Sequence, residues 1–124
     1  MTSEARTVVV LGASPKPERF ANRAVLALGR HGHRVIPVYP RGGEIGGWPV
    51  ATALAEVRGP VDTLALYMGP RRSEPVIPDI VALAPRRVVL NPGTESPALE
   101  AALDRADIPW VHDCVLRMLD GERF

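Results

Sequence analysis

Short apolar runs alternate with helix-patterned stretches five times along the 124 residues, and this alternation constrains the fold more than any other feature. The first run, Thr7-Val8-Val9-Val10-Leu11, is apolar or β-branched at every position and ends at Gly12. A strand with one wet face would alternate polar and apolar residues. An unbroken run implies burial on both faces, as in a parallel sheet covered by helices. Phe20 to His31 then has helical spacing: Ala21, Ala24, Val25 and Leu28 form one stripe, while Asn22, Arg23 and Arg30 face away. Gly32 stands at the position that ends such a helix.

Further strands are predicted at Arg34 to Tyr39, Val61 to Met68, Arg86 to Leu90 and Ile108 to His112. Pro37 has no N–H to give to a ladder, so its strand belongs at an edge or a bulge. Residues 42 to 50 read as a flexible glycine-rich connection and Ala51 to Val57 as a short helix. Ser73 to Leu83 reads as a helix with Pro75 and Pro78 in its first turn, where the N–H groups have no partner in any case. Ser96-Pro97 is an N-cap followed by proline at N1, opening a helix to Ala106, and Cys114 to Leu119 closes the pattern. The expectation is an α/β fold, Rossmann-like and doubly wound. A mainly parallel five-stranded sheet carries helices on both faces in three layers, and residues 1–124 form one domain.

Composition removes several function classes. Val, Leu, Ile and Phe account for 34 residues, well above the roughly 20% below which chains stay disordered. The lone Cys114 excludes a disulfide scaffold. A formal net charge of +1 supplies no field for nucleic acid or a membrane surface. No apolar run approaches the roughly 20 residues of a membrane span, and the polar opening Met1 to Glu4 has no signal-like region behind it, so a cytoplasmic location is expected. The basic residues are 14 Arg and the single Lys16, a bias that GC-rich codon usage accounts for.

Open α/β sheets bind ligands outside the carboxyl ends of their strands. Four segments fall there: Gly12 to Pro17, Pro40 to Gly43, Met68 to Arg72, and Asn91 to Ser96. Gly12, Ala13 and Ser14 directly after the first strand let a backbone approach a phosphate, with the following helix start aimed at the anion. Ser14 adds a hydroxyl, and Lys16 or Arg19 a countercharge. The loop is not the dinucleotide fingerprint, because Ser14 and Pro17 occupy the places of its second and third glycines. After the second strand comes Pro40-Arg41 where an NAD site would place an acid. Arg41 suits a phosphorylated ribose instead, which leaves NADP and coenzyme A (CoA) as candidates. Gly42 to Gly47 lacks the Gly-Lys-Ser/Thr ending of a P-loop, and Arg71-Arg72 reads as a solvated pair.

These residues carry a family resemblance. Val10 to Pro17, Val35 to Arg41, Val76 to Ile80, Asn91-Pro92-Gly93 and Cys114 to Leu119 resemble the single-domain CoA-binding proteins. Their fold is shared with the CoA-binding domains of the succinyl-CoA synthetase alpha subunit and of ADP-forming acyl-CoA synthetases. The resemblance runs from Arg6 to the C-terminus. It implies CoA or an acyl-CoA held across the strand ends, with Gly12, Ala13 and Ser14 at the pyrophosphate and Pro40-Arg41 at the nucleotide phosphate. It places Met68-Gly69 and Asn91-Pro92-Gly93 along the nucleotide and pantetheine. Where members often carry Phe-Arg after the third long strand, this chain has Met68-Gly69, and Asn91-Pro92-Gly93 stands where many have glutamine.

The expected role is a binding module, a carrier, sensor or regulatory unit, with a small NADP-dependent oxidoreductase as the alternative. The phosphohistidine of the ligases lies in a further domain. A homodimer, or an enzyme that uses acyl-CoA as partner, is compatible with such a module. His31 and His33 flank the helix stop, where imidazole favours the negative end of the dipole. His112 and Cys114 share a side of an extended chain that Asp113 does not; a lone cysteine such as Cys114 reads as a buried small hydrophobe, with a place near the mouth, suggested by the resemblance, as the alternative. No residues are assigned to catalysis, and no cluster has metal-ligand spacing.

Overall fold

All five apolar runs become strands of one sheet. In the computed structural model, which describes residues 4–124, these are β1 (Thr7–Leu11), β2 (Arg34–Val38), β5 (Thr63–Leu66), β6 (Arg87–Leu90) and β7 (Trp110–His112). They pair in parallel in the order β2-β1-β5-β6-β7. Val8, Val9 and Val10 are each 0% exposed, which is why β1 needs an unbroken apolar run. Val8 and Val10 pack against Ala24, Val25 and Leu28 of α1 (Phe20–Arg30) and against Val115, Met118 and Leu119 of α5 (Val115–Asp120). On the other face Val9 and Leu11 meet Ile80 of α3 (Ile77–Leu83) and Leu99 and Leu103 of α4 (Pro97–Arg105). Each fully buried side chain of this size contributes about 1.5–3 kcal/mol of burial. The fold is the Rossmann-like, doubly wound α/β arrangement that the alternation implied.

Local chemistry ends the elements. Gly32 N–H donates to Gly29 C=O and His33 N–H to Leu28 C=O, so two of the last carbonyls of α1 are satisfied as the chain turns away. Ser96 Oγ accepts from Leu99 N–H at 3.2 Å, and Pro97 follows it at the first position of α4. Pro37 sits on β2, which is an edge strand. The outer side of that strand is met by a single bridge at Ala51, whose N–H donates to Pro37 C=O.

Three segments depart from expectation. Residues 42–50 are not a flexible connection but a ribbon, β3 (Glu44–Ile45) and β4 (Trp48–Pro49), closed by Gly46 and Gly47 with φ of 60° and 85°. Positive φ at both turn residues is what a two-residue hairpin requires. Ala51 to Val57 holds only a 3₁₀ turn at Leu54–Glu56. The helix predicted from Ser73 starts earlier and is broken into α2 (Pro70–Ser73), a 3₁₀ turn at Glu74–Val76 and α3. Each of Pro75 and Pro78 lacks an N–H and crowds the carbonyl one turn back, so each begins a new segment.

Two polar residues were misplaced by periodicity. Asn22 is buried rather than facing away, because its Nδ2 donates to Ser14 C=O at 2.9 Å. His33 does not cap the helix through its ring. It is 5% exposed, its Nδ1 accepts the Arg6 N–H at 3.0 Å, and it stacks at a tilt on Phe124. Burial, with the Arg6 guanidinium beside it, holds the His33 pKa below the ordinary value of 6.5. The unfolded chain therefore binds this proton more tightly than the folded one. The His33 contribution is intact above pH 6.5 and is lost as pH falls below it. Urea midpoints measured between pH 7.5 and 5.5 should drop toward acid, and a His33→Asn variant should show a shallower drop.

Candidate functional site

The carboxyl ends of β1, β5 and β6 open into a cleft of about 750 Å³, within the range of about 300–1,000 Å³ common to small-molecule sites. β1 lies between β2 and β5, so the chain leaves β1 in one direction and returns to build the rest of the sheet in the other. The cleft straddles this switch point, where open α/β sheets take ligands.

One wall is the β1–α1 loop, Gly12 to Lys16, with Arg19, Phe20 and Ala21 from the start of α1. Gly12 has φ of 94°, and a Cβ there would lie 2.8 Å from the Tyr67 carbonyl oxygen. The loop is tied down by Ala13 N–H donating to Val38 C=O and by Asn22 holding Ser14 C=O. Ser14 Oγ accepts from Lys16 N–H at 3.1 Å, which leaves its own O–H free to donate. No side chain caps α1, and its first turn holds no acid. Its positive end is therefore presented to the cleft, an arrangement that favours an anion.

The opposite wall comes from Gly69 and Arg72 of the β5–α2 region and from Asn91 to Thr94 after β6. Asn91 is 2% exposed and bonded at both side-chain polar atoms: Nδ2 donates to Leu66 C=O at 3.0 Å, and Oδ1 accepts from Val115 N–H at 2.9 Å. The Gly93 N–H is taken by the Glu95 carboxylate at 3.1 Å, and Glu95's own backbone N–H together with that of Gly93 holds the Glu95 pKa below its usual value. Cys114, Leu116 and Arg117 bring the start of α5 to the cleft, and Tyr39 and Tyr67 line it as well. The lining carries Lys16, Arg19, Arg72 and Arg117, all exposed, and no Asp or Glu among the described residues.

Of the residues singled out from sequence, Gly12, Ala13, Ser14, Lys16, Arg19, Gly69, Asn91, Pro92 and Gly93 line this cleft. Pro40, Arg41 and Met68 do not. Met68 packs against the α3/α4 face, whereas Tyr67 belongs to the α1/α5 face, as alternation along a strand requires. Pro40 and Arg41 lie exposed in the turn after β2, next to the lining residue Tyr39. Phe20, Ala21, Tyr39, Tyr67, Leu116 and Arg117 were missed, whereas Arg72 and Thr94 fall in the mouth segments expected from sequence. The Tyr67 position was available from the same alternation, since Ala65 faces α1 and α5. His112, Asp113 and Cys114 form no catalytic set: His112 bonds Glu100 at 2.9 Å, and Asp113 pairs with Arg123 at 2.6 Å.

Sheet order and cleft together define a Rossmann-like α/β fold with an anion-favouring mouth. The description "CoA binding domain" matches residues 6–120, so the chain belongs to that family. An uncharacterised protein known from its crystal structure is 36% identical, with a TM-score of 0.91 over 98% of this chain and 100% of that one. A Thermus thermophilus protein, cell-free ID.343, is also 36% identical, with a TM-score of 0.88 over 97% and 91% of the two chains. The dinucleotide-forming acetyl-coenzyme A synthetase 1 of Ca. Korarchaeum cryptofilum shares the fold at 18% identity, with a TM-score of 0.74 over 86% of this chain and 25% of that one. No match was found among curated proteins. Among the described residues, no helix is long and apolar enough to cross a membrane.

Proposed function

We propose that this chain binds CoA or an acyl-CoA in the cleft at the switch point and serves as a carrier, sensor or regulatory module. The observation that carries this reading is the cleft itself. In a member of the CoA-binding family it combines a glycine-led loop, an uncapped helix start and four exposed cations without a lining acid. That donor set fits a diphosphate: backbone and Ser14 hydroxyl at its centre, with Lys16, Arg19, Arg72 and Arg117 around the rim. Arg41, exposed beside Tyr39, meets the ribose phosphate from outside the cleft. His112 is held by a hydrogen bond to Glu100 and Asp113 by an ion pair with Arg123.

A thermal-shift titration with CoA, dephospho-CoA, NADP and NAD tests this, since a ligand of the native state raises the midpoint by mass action. CoA should give the largest shift. NADP shifting the protein while CoA does not would replace the reading with an oxidoreductase. Arg41→Ala should weaken CoA about five- to tenfold and leave dephospho-CoA unchanged, a loss below that of a buried charge-assisted contact because water screens an exposed guanidinium. Equal affinity losses for the two ligands, read by calorimetry, would place Arg41 away from the ribose phosphate.

A further inference from the structure

The floor of the cleft differs in chemistry from its rim. The rim cations Lys16, Arg19, Arg72 and Arg117 are exposed, whereas Ala13, Ala21, Asn91 and Thr94 below them are buried. Tyr67, at the end of the central strand β5, lies among the latter and packs with the α1/α5 core. Its hydroxyl is buried and has no hydrogen-bond partner among the described residues. Buried hydroxyls are almost always paired, because leaving one unpaired costs free energy with no return. Two polar side chains of the same floor are bonded elsewhere: both Asn91 side-chain polar atoms have partners, and Thr94 Oγ1 donates to Asn91 C=O at 2.7 Å.

We propose that the Tyr67 hydroxyl donates to a carbonyl oxygen on the pantetheine arm of the bound ligand, and so reads the uncharged half of the molecule. The inference rests on the CoA reading of the same cleft. The acceptor is neutral because the charged groups are provided for at the rim, and a phosphate carried down to an apolar floor would lose its hydration without a countercharge. Burial, reinforced by Cys114 nearby, pushes the Tyr67 pKa well above its ordinary value of 10, so the hydroxyl keeps the proton it donates. Two kinds of carbonyl share this chemistry: the amides of the arm, present in every CoA, and the thioester of an acyl-CoA.

Tyr67→Phe keeps the ring and removes only the oxygen. Calorimetric titration of the full chain with CoA, acetyl-CoA and adenosine 3′,5′-bisphosphate, which lacks the arm, is read beside the urea midpoint. The variant should be as stable as the wild type or more so, because an unpaired buried hydroxyl is gone. It should bind acetyl-CoA about three- to tenfold more weakly, the worth of one neutral hydrogen bond, with the bisphosphate unchanged. A loss shared equally by CoA and acetyl-CoA assigns an amide carbonyl; a larger loss for acetyl-CoA assigns the thioester. Unchanged affinity for both CoA and acetyl-CoA, a loss for the bisphosphate equal to that for acetyl-CoA, or a clearly lowered urea midpoint would each overturn the inference. In the last case the hydroxyl is bonded within the protein or to a structural water. Failure of the wild type to bind any of the three overturns the CoA reading itself.

Discussion

Gly12→Val should cost several kcal/mol of stability and abolish ligand binding, the largest effect expected of any single change in the loop. Two independent penalties meet at this position. Its φ of 94° is a conformation that a β-branched residue adopts only under strain, at a cost of about 1–3 kcal/mol. The new Cβ would also stand 2.8 Å from the Tyr67 carbonyl oxygen and 2.9 Å from its carbon. Both are backbone atoms at the end of β5, so no rotamer change relieves the clash, and overpacking of this kind adds about 1–3 kcal/mol. Gly93→Ala separates the two terms. It shares the positive φ, 89°, but its Cβ would meet nothing within 4 Å. Urea titrations of Gly12→Ala and Gly93→Ala should therefore differ, with Gly12→Ala the less stable. Equal midpoints would show that the end of β5 yields and that Gly12 is required for its dihedral angle alone. The same contact alters what the glycine means. From sequence it stands for close approach of a phosphate, whereas the structure shows that packing of β1 beside β5 already demands it.

The sheet was legible because its signals are local. Val8 to Val10 need two covered faces wherever they are placed, Pro37 belongs at an edge or a bulge, and Ser96-Pro97 opens a helix in any context. The 70–83 segment was less so, because two prolines compatible with one helix start are equally compatible with two. The Gly42 to Gly47 run looked mobile because its glycines were counted without Ile45 among them and Trp48 after them, whose packing makes the ribbon. In the site, the β1–α1 loop announced itself by a glycine at a strand end. Leu116 and Arg117 did not, because α5 is too short to show a periodic face. Only the strand order, unknowable from any one segment, carries the start of α5 beside that of α1. Asn91 was legible as a mouth residue but not as a clamp, since its two partners, Leu66 and Val115, lie 25 and 24 residues away.

That clamp governs the second large effect. Asn91→Ala should lower stability by about 2–4 kcal/mol, because it leaves the buried Val115 N–H unpaired and weakens the pairing of Leu66 C=O. The Leu66 carbonyl keeps only the long 3.4 Å bond from Asn91 N–H, while Val115 N–H loses the acceptor at 2.9 Å. Because Val115 opens α5, the loss extends to the wall that carries Cys114, Leu116 and Arg117, and ligand affinity should fall with stability. Asn91→Asp distinguishes the two bonds. An aspartate can still accept from Val115 N–H, but ionised it has no proton for Leu66 C=O, so the folded state holds its pKa above the unfolded value of about 3.9. A group whose folded pKa is raised contributes stability at low pH and loses it as pH rises through that pKa. Relative to wild type, Asn91→Asp should therefore be least destabilised near pH 4.5 and increasingly so toward pH 7.5, while Asn91→Ala, with no titrating group, keeps a constant deficit. A pH-independent deficit for both variants would mean that the Leu66 bond contributes nothing and that the Val115 bond alone seats α5 against the cleft.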